Sequence, residues 1–338
     1  MLACIIKRNR PALAHVEPPV CSRGEALGRV LAAAICGTDL RTYRNGANGL
    51  PEGRILGHEV VMEVTESKAE GIAPGDLLQV APAVGCGTCR MCKKGNTNMC
   101  ENLKTIGFQY DGAFAESIAV PAQAVKMGNC TKLTGGLSPS LYVLAEPLAC
   151  VINSHSFLHI GGGDAVAIYG AGIIGCMHAQ LARHEGAEQI VIIEPNPSRR
   201  AQVEKALPGI PCLDSQAAAA YFQKNTGYGG ADVAIIACSA GAAQRDGMNL
   251  LNKQGRISLF GGLPGESTGF IDSNLIHYRQ LSVYGVHASS PQHNRQAIGM
   301  IERGEVQLEN LIAKYKLGDI EQAFQDLADG KTMKAVLC

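Results

Sequence analysis

Two rhythms of apolar and polar residues divide this chain near residue 160. Before that point, short alternating or wholly apolar runs are separated by Gly, Pro and Asp: Leu2–Lys7, Ala26–Ala34, Val60–Glu66, Asp76–Pro82 and Ala115–Val120. Runs this short predict strands, and turn signals this regular predict a small barrel or sandwich. From Asp164 the texture changes. Predicted strands at Ala165–Tyr169, Gln189–Glu194, Ala231–Ala237, Arg256–Phe260 and Leu281–Tyr284 alternate with predicted helices at Gly172–Glu185, Ser198–Ala206 and Ala243–Leu251. That alternation predicts a parallel sheet with helices on both faces. After Gln292 the pattern turns helical (Asn294–Arg303, Ile320–Leu327) and closes on a short apolar strand, Ala335–Cys338.

Composition narrows the class. A chain of 338 residues suits two domains better than one core. Thirty basic residues balance thirty acidic ones, and no block of like charge occurs, which argues against a nucleic-acid partner. Forty glycines imply many tight turns, and the absence of Trp leaves the core to Val, Ile, Leu and Ala. The apolar start, Leu2 to Ile6, meets Lys7 and Arg8 too soon to be a signal peptide. The apolar stretch Ala165–Ala182 is interrupted by Gly170, Gly172, Gly175, His178 and Gln180, so no membrane span is expected. Thirteen cysteines, an odd number with one tight cluster, favour reduced thiols and metal over disulfides, hence a cytoplasmic protein.

The cluster is Cys86-x2-Cys89-x2-Cys92-x7-Cys100. Four soft ligands on one loop suit a closed tetrahedral zinc site, which keeps no open position and is therefore structural. An iron–sulfur cluster or a chance group of free thiols are the alternatives. A second signal is Gly170-Ala-Gly172-Ile173-Ile174-Gly175, preceded by a buried strand and followed by a helix, with Glu194 nineteen residues after Gly175. In that context the glycines fit the dinucleotide fingerprint, and Glu194 would bind the adenosine ribose and repel a 2′-phosphate. NAD is expected over NADP, although Arg199 and Arg200 follow closely. A tight structural turn is the bland alternative. A third, dispersed set is Cys36-Gly-Thr38-Asp39, Gly57-His58-Glu59 and Glu146-Pro147. No spacing rule joins these residues; each also reads as a core thiol, a satisfied histidine or a helix-start carboxylate.

Taken together these segments resemble the zinc-dependent medium-chain alcohol and polyol dehydrogenases along essentially the whole chain. The matching stretches are CGTD at 36–39, GHE at 57–59, the four-cysteine lobe at 86–100, DGAFAE at 111–116, EPLA at 146–149, GAGIIG at 170–175 and GRISLFGG at 255–262. The similarity is greatest to the sorbitol, threonine and sugar-alcohol-phosphate branch. It implies an α/β protein: a β-rich GroES-like catalytic domain, 1–153 and 289–338, interrupted by a doubly wound Rossmann domain, 154–288. It implies two zinc ions per chain. Cys36 and His58 would be catalytic-zinc ligands, with either Glu59 or Glu146 as the third. Thr38 would take the alcohol proton, with Asp39 in support. Gly170, Gly172, Ile173, Ile174, Gly175, Glu194 and Arg199 would bind the cofactor.

Two positions depart from the family. Arg41 stands where many relatives place a relay histidine, and Asn153 stands where another histidine is common, with His155 two residues on. Arg41 is a candidate contact for an anionic substrate, and His287, after a strand end, a candidate substrate contact. The expected activity is hydride transfer between NAD and a secondary alcohol, the substrate a polyol, sugar acid or sugar-alcohol phosphate. Threonine 3-dehydrogenase-like activity, or a non-catalytic zinc and nucleotide binder with the same fold, are the alternatives. Pairing across a strand near Leu281–Tyr284 would give a homodimer or homotetramer.

Overall fold

A computed structural model describes residues 1–47, 49–263, 265 and 272–338. The chain forms two compact units. One comprises residues 1–149, 288–304 and 308–338; the other comprises residues 150–287 and 305–307.

The first unit is built on a seven-stranded sheet. Along it lie Ile312–Tyr315, Lys334–Leu337, Ala26–Ala34, Glu59–Ser67, Leu77–Val80 and Cys130–Lys132, and Ser117–Val120 pairs with Ala26–Ala34. Two registers matter for the chemistry. Ala34 faces Glu59 on one side and Val336 on the other, both antiparallel. The sheet encloses an aliphatic core that includes Leu56, Met62, Leu78, Ile106 and Ile118, as a chain without Trp requires. Aromatic residues cluster at one place. Phe324, on the helix Ile320–Ala328, stacks on Tyr43 at 4.7 Å and meets the edge of Phe114 at 6.3 Å. Tyr43 belongs to the helix Gly37–Asn45, so this contact seats the helix that carries Thr38 and Asp39. Truncating Phe324 to Ala would cost about 3–5 kcal/mol, the usual range for a buried aromatic.

The second unit is a six-stranded parallel sheet. Its order is Cys212–Leu213, Gln189–Ile193, Ala165–Tyr169, Ala231–Ile236, Leu251–Leu259, Ser282–Gly285. Numbered by sequence this is 3-2-1-4-5-6, the Rossmann order, whose switch point lies beside the first strand. Every residue of Ala165–Tyr169 is buried, as expected of a strand covered on both faces. Ser282–Gly285 occupies the sheet edge, where the sequence places it.

Several helices carry no clear sequence signal. Ala145–Leu158 is one, and the apolar stretch 139–158 that contains it is long enough to cross a membrane but mostly buried. His155 on this helix does not stand alone. Its Nδ1 lies 2.6 Å from Glu185 Oε2 and its Nε2 lies 3.0 Å from His178 Nδ1. His178 is fully buried, and its Nε2 has no hydrogen-bond partner.

Candidate active site

The strand Ala26–Ala34 runs into Cys36, which caps the helix Gly37–Asn45. Asp39 fixes that cap by accepting the Cys36 N–H at 2.9 Å. Its other oxygen lies 3.8 Å from His58 Nδ1. Asp39 thus orients two neighbours from a position only 2% exposed.

His58 and Glu59 stand at the start of the next strand, and the turn before them needs glycine. Gly57 has φ +94°, and a Cβ there would strike the Phe114 ring. A Cβ on Gly112 would strike the carbonyls of Leu56 and Gly57. The segment Gly112–Phe114 splints this turn through three backbone bonds, Gly112 N–H to Ile55 O, Ala113 N–H to Gly57 O and Phe114 N–H to Leu56 O. Asp111 adds a fourth support, accepting from Arg54 Nη1 at 2.7 Å and from the Ile55 N–H at 3.2 Å. The 111–116 stretch therefore braces the histidine of the 57–59 stretch.

The donor atoms of Cys36, His58 and Glu59 all lie within 4.8 Å of one another. Glu146 begins the helix Ala145–Leu158, is 7% exposed, and acts electrostatically on His58. Among the described residues it stands outside that tight set. Three buried polar atoms here lack hydrogen-bond partners: Thr38 Oγ1, His58 Nδ1 and Glu59 Oε2. A buried polar atom without a partner costs about 1–3 kcal/mol. His58 Nδ1 faces Asp39, so the atoms that mark a place for something else are Thr38 Oγ1 and Glu59 Oε2. The electrostatics agree in sign. Burial alone would push His58 down, but Asp39, Cys36 and Glu146 outweigh it and hold the ring well above its ordinary pKa. A set this rich in thiolate and carboxylate donors fits a zinc ion with an open position.

Sequence reasoning missed one member. Lys334 Nζ lies 2.6 Å from Glu59 Oε1, with both side chains almost completely buried. Burial opposes its charge, yet Glu59, Cys36 and Glu146 raise its pKa. The register explains the meeting. With Val336 opposite Ala34, Lys334 falls beside residue 36, and Glu59 lies one strand over. The only local signal was a lysine opening an apolar strand.

The four cysteines of the lobe also converge, their sulfurs within 4.8 Å of one another. Backbone N–H groups of Cys86, Cys89, Cys92 and Asn102 point at sulfur at 3.2–3.5 Å. Hydrogen bonds from Thr88 and from the Cys89 N–H bring Cys86 down to about 5, while burial pushes Cys92 up to about 12. Four converging cysteine sulfurs have the donor set of a tetrahedral zinc site, in which the metal would hold all four as thiolates.

In the second unit the glycine turn follows the strand Ala165–Tyr169. Gly170 takes φ +113°, and a Cβ on Gly175 would collide with the Gly170 carbonyl. Gly172 caps the helix Ile173–His184, and a Cβ there would meet nothing within 4 Å. Open space at a helix N-terminus is what a diphosphate needs. Ile173 and Ile174 open that helix, both half-buried. Glu194 folds back to accept the Ala171 N–H at 3.1 Å and the Asn196 N–H at 3.0 Å. Arg200 Nη1 bonds the carbonyls of Glu194 and Pro195, whereas Arg199 is half-buried on the same helix, Pro197–Ala206. Of the substrate candidates, Arg41 is exposed on the helix Gly37–Asn45. His287 is exposed too, and its carbonyl accepts from Asn153 Nδ2 at 3.4 Å.

Comparison with known proteins identifies the family. Residues 22–129 match the alcohol dehydrogenase GroES-like domain and residues 174–303 the zinc-binding dehydrogenase family. An L-threonine 3-dehydrogenase of Pyrococcus horikoshii is 33% identical over 96% of this chain and 94% of its own. An alcohol dehydrogenase from Thermus sp. ATN1 superposes with TM-score 0.89 at 26% identity, covering 100% of this chain and 99% of the other. A protein of Sinorhizobium meliloti described as a zinc-binding dehydrogenase, bound to NADP, gives TM-score 0.88 at 26% identity, covering 99% and 98%.

Proposed function

Because the chain belongs to the zinc-dependent alcohol dehydrogenase family, we propose that it is an NAD-linked dehydrogenase of a secondary alcohol. The substrate class is a polyol, sugar acid or sugar-alcohol phosphate. The observation that carries this reading is the convergence of the Cys36, His58 and Glu59 donor atoms, with Glu59 Oε2 and Thr38 Oγ1 buried and unpartnered.

Cys36, His58 and Glu59 would hold a catalytic zinc, and Cys86, Cys89, Cys92 and Cys100 a structural one, two ions per chain. Glu59 is preferred to Glu146 as the third ligand, since its Oε2 is unpartnered and lies in the tight donor set. Zinc, when bound, supplies Lewis acidity toward the substrate oxygen. Thr38 Oγ1 would accept a hydrogen bond from the substrate hydroxyl and relay its proton, releasing its own to solvent so that the threonine stays neutral. Asp39 holds Cys36 and His58 in place, and Lys334 balances the charge of Glu59.

The turn Gly170–Gly175 would receive the cofactor diphosphate. NAD is preferred because the Glu194 carboxylate, at the end of the second strand, would repel a 2′-phosphate. Arg200 is occupied by backbone carbonyls and is poorly placed to offset it. The open edge strand Ser282–Gly285 supports a homodimer or homotetramer. The free state of all thirteen cysteines supports a reducing compartment, the cytoplasm.

L-Threonine 3-dehydrogenase activity is the second reading, favoured by the relative at 33% identity. A panel of polyols, sugar acids, their phosphates and L-threonine, followed by NADH absorbance, separates the two. Turnover confined to L-threonine would establish the second reading. Absence of turnover with every alcohol in zinc-loaded protein would remove both.

A further inference from the structure

The pocket beside the glycine turn contains an acid that the dinucleotide reading leaves unused. This cavity of about 280 Å³ has walls from Ile193, Pro195, Ala240 and Ala243, and it carries two carboxylates, Glu194 and Asp246. Glu194 is committed, because its two oxygens accept the N–H groups of Ala171 and Asn196. Asp246 is different. It is an exposed residue in the middle of the helix Gly241–Leu250, too far in to cap it, and makes no hydrogen bond or ion pair with a described residue. It acts on the pocket all the same. Burial first, and the Asp246 charge second, raise the pKa of Tyr169, another residue of the lining.

We infer that Asp246 reads the base of the bound dinucleotide by accepting a hydrogen bond from the 6-amino group of adenine. The inference rests on the proposed dinucleotide site. Flat apolar walls accept any purine, so they exclude none. A carboxylate is an acceptor only. Adenine presents an amine at C6, a donor that matches it. Hypoxanthine presents a carbonyl oxygen at the same position, which sets acceptor against acceptor. A site that binds a ligand N–H discriminates against the analogue that lacks it.

The test uses the whole chain and needs no alcohol substrate. NADH and its hypoxanthine analogue are titrated separately, reading nicotinamide fluorescence, with calorimetry as a second measure. The absence of Trp removes the indole background. The wild-type protein should bind NADH about tenfold more tightly than the analogue, the effect of one charge-assisted hydrogen bond. Asp246→Ala should bring the ratio close to one, chiefly by weakening NADH. Asp246→Asn should bind both dinucleotides, because an amide can turn either its oxygen or its NH2 toward the base. A wild-type ratio of one, or a tenfold ratio that survives in Asp246→Ala, would overturn the inference. If the wild-type protein binds neither dinucleotide, the cofactor reading itself fails and the inference falls with it.

Discussion

Replacing Lys334 with Met removes a charge and keeps most of the volume. The structure makes the consequence calculable. Lys334 and Glu59 form a pair at 2.6 Å, with side-chain exposures of 3% and 0%. After the substitution Glu59 Oε1 loses its partner, and Oε2 has none to begin with. A buried carboxylate stripped of its cation costs about 3–5 kcal/mol, far more than a surface pair would. Metal-free Lys334→Met should therefore lose several kcal/mol in urea unfolding, followed by circular dichroism. The companion variant Glu59→Gln separates the pair from mere packing. If the cost is an orphaned charge, Lys334→Met combined with Glu59→Gln should be more stable than Lys334→Met alone, a strong coupling in the double-mutant cycle. Zinc gives a second check. A cation bound beside Glu59 replaces the missing ammonium, so adding zinc should rescue Lys334→Met by more than it stabilises the wild type. The reasoning is refuted if the single variant unfolds like the wild type, or if Glu59→Gln brings no relief.

Four other outcomes are expected. Burial first, and the neighbouring His155, hold His178 well below 6.5, so the unfolded chain binds the extra proton. Its stabilising effect is complete above pH ~6.5 and lost as pH falls. Urea midpoints between pH 7.5 and 5 should fall less steeply for His178→Gln, and equal slopes would contradict this. Cys89→Ser should lower elemental zinc from two per chain toward one and reduce thermal stability; an unchanged count would dismiss the structural zinc. Glu194→Ser should raise kcat/KM for NADP relative to NAD by roughly tenfold or more, since a like charge facing the 2′-phosphate is removed. Unaltered preference would show that Glu194 does not read the ribose. If the substrate is anionic and Arg41 holds it, Arg41→Ala should cost about ten- to a hundredfold in kcat/KM for that substrate, with little effect on its neutral analogue. Equal losses for both would assign Arg41 another task.

The parts of the fold that could be read directly are those whose cause is local. The strand Ala165–Tyr169 is apolar throughout because both faces are covered, and its limits in the structure are those the pattern predicts. Gly170 and Gly175 are legible for the same reason: one takes a positive φ and the other has no room for a Cβ. The four cysteines of the lobe lie within fifteen residues, so the chain itself brings them together. The helix Ala145–Leu158 was harder to see, because apolar residues surround it on nearly every side and erase its period.

The candidate catalytic set shows why the remainder was hidden. Cys36, His58 and Glu59 carried no spacing signal, and only resemblance to a family joined them before the structure did. Strand register supplies the physical link. Ala34 pairs with Glu59, which brings the end of one strand and the start of the next to the same edge. The same register on the other side sets Lys334 beside them, from a segment 275 residues away in sequence from Glu59. A lysine ahead of Ala-Val-Leu reads locally as a solvated strand end, since the aliphatic stem can lie on apolar surface while the charge reaches water. What excludes that outcome is the burial of the strand between two others, with a carboxylate on the far side to receive the charge. Motifs thus name the donors, whereas the sheet decides which charges must balance. The residues that balance charge across a sheet leave no local pattern, which is why Lys334 emerged only from the paired strands.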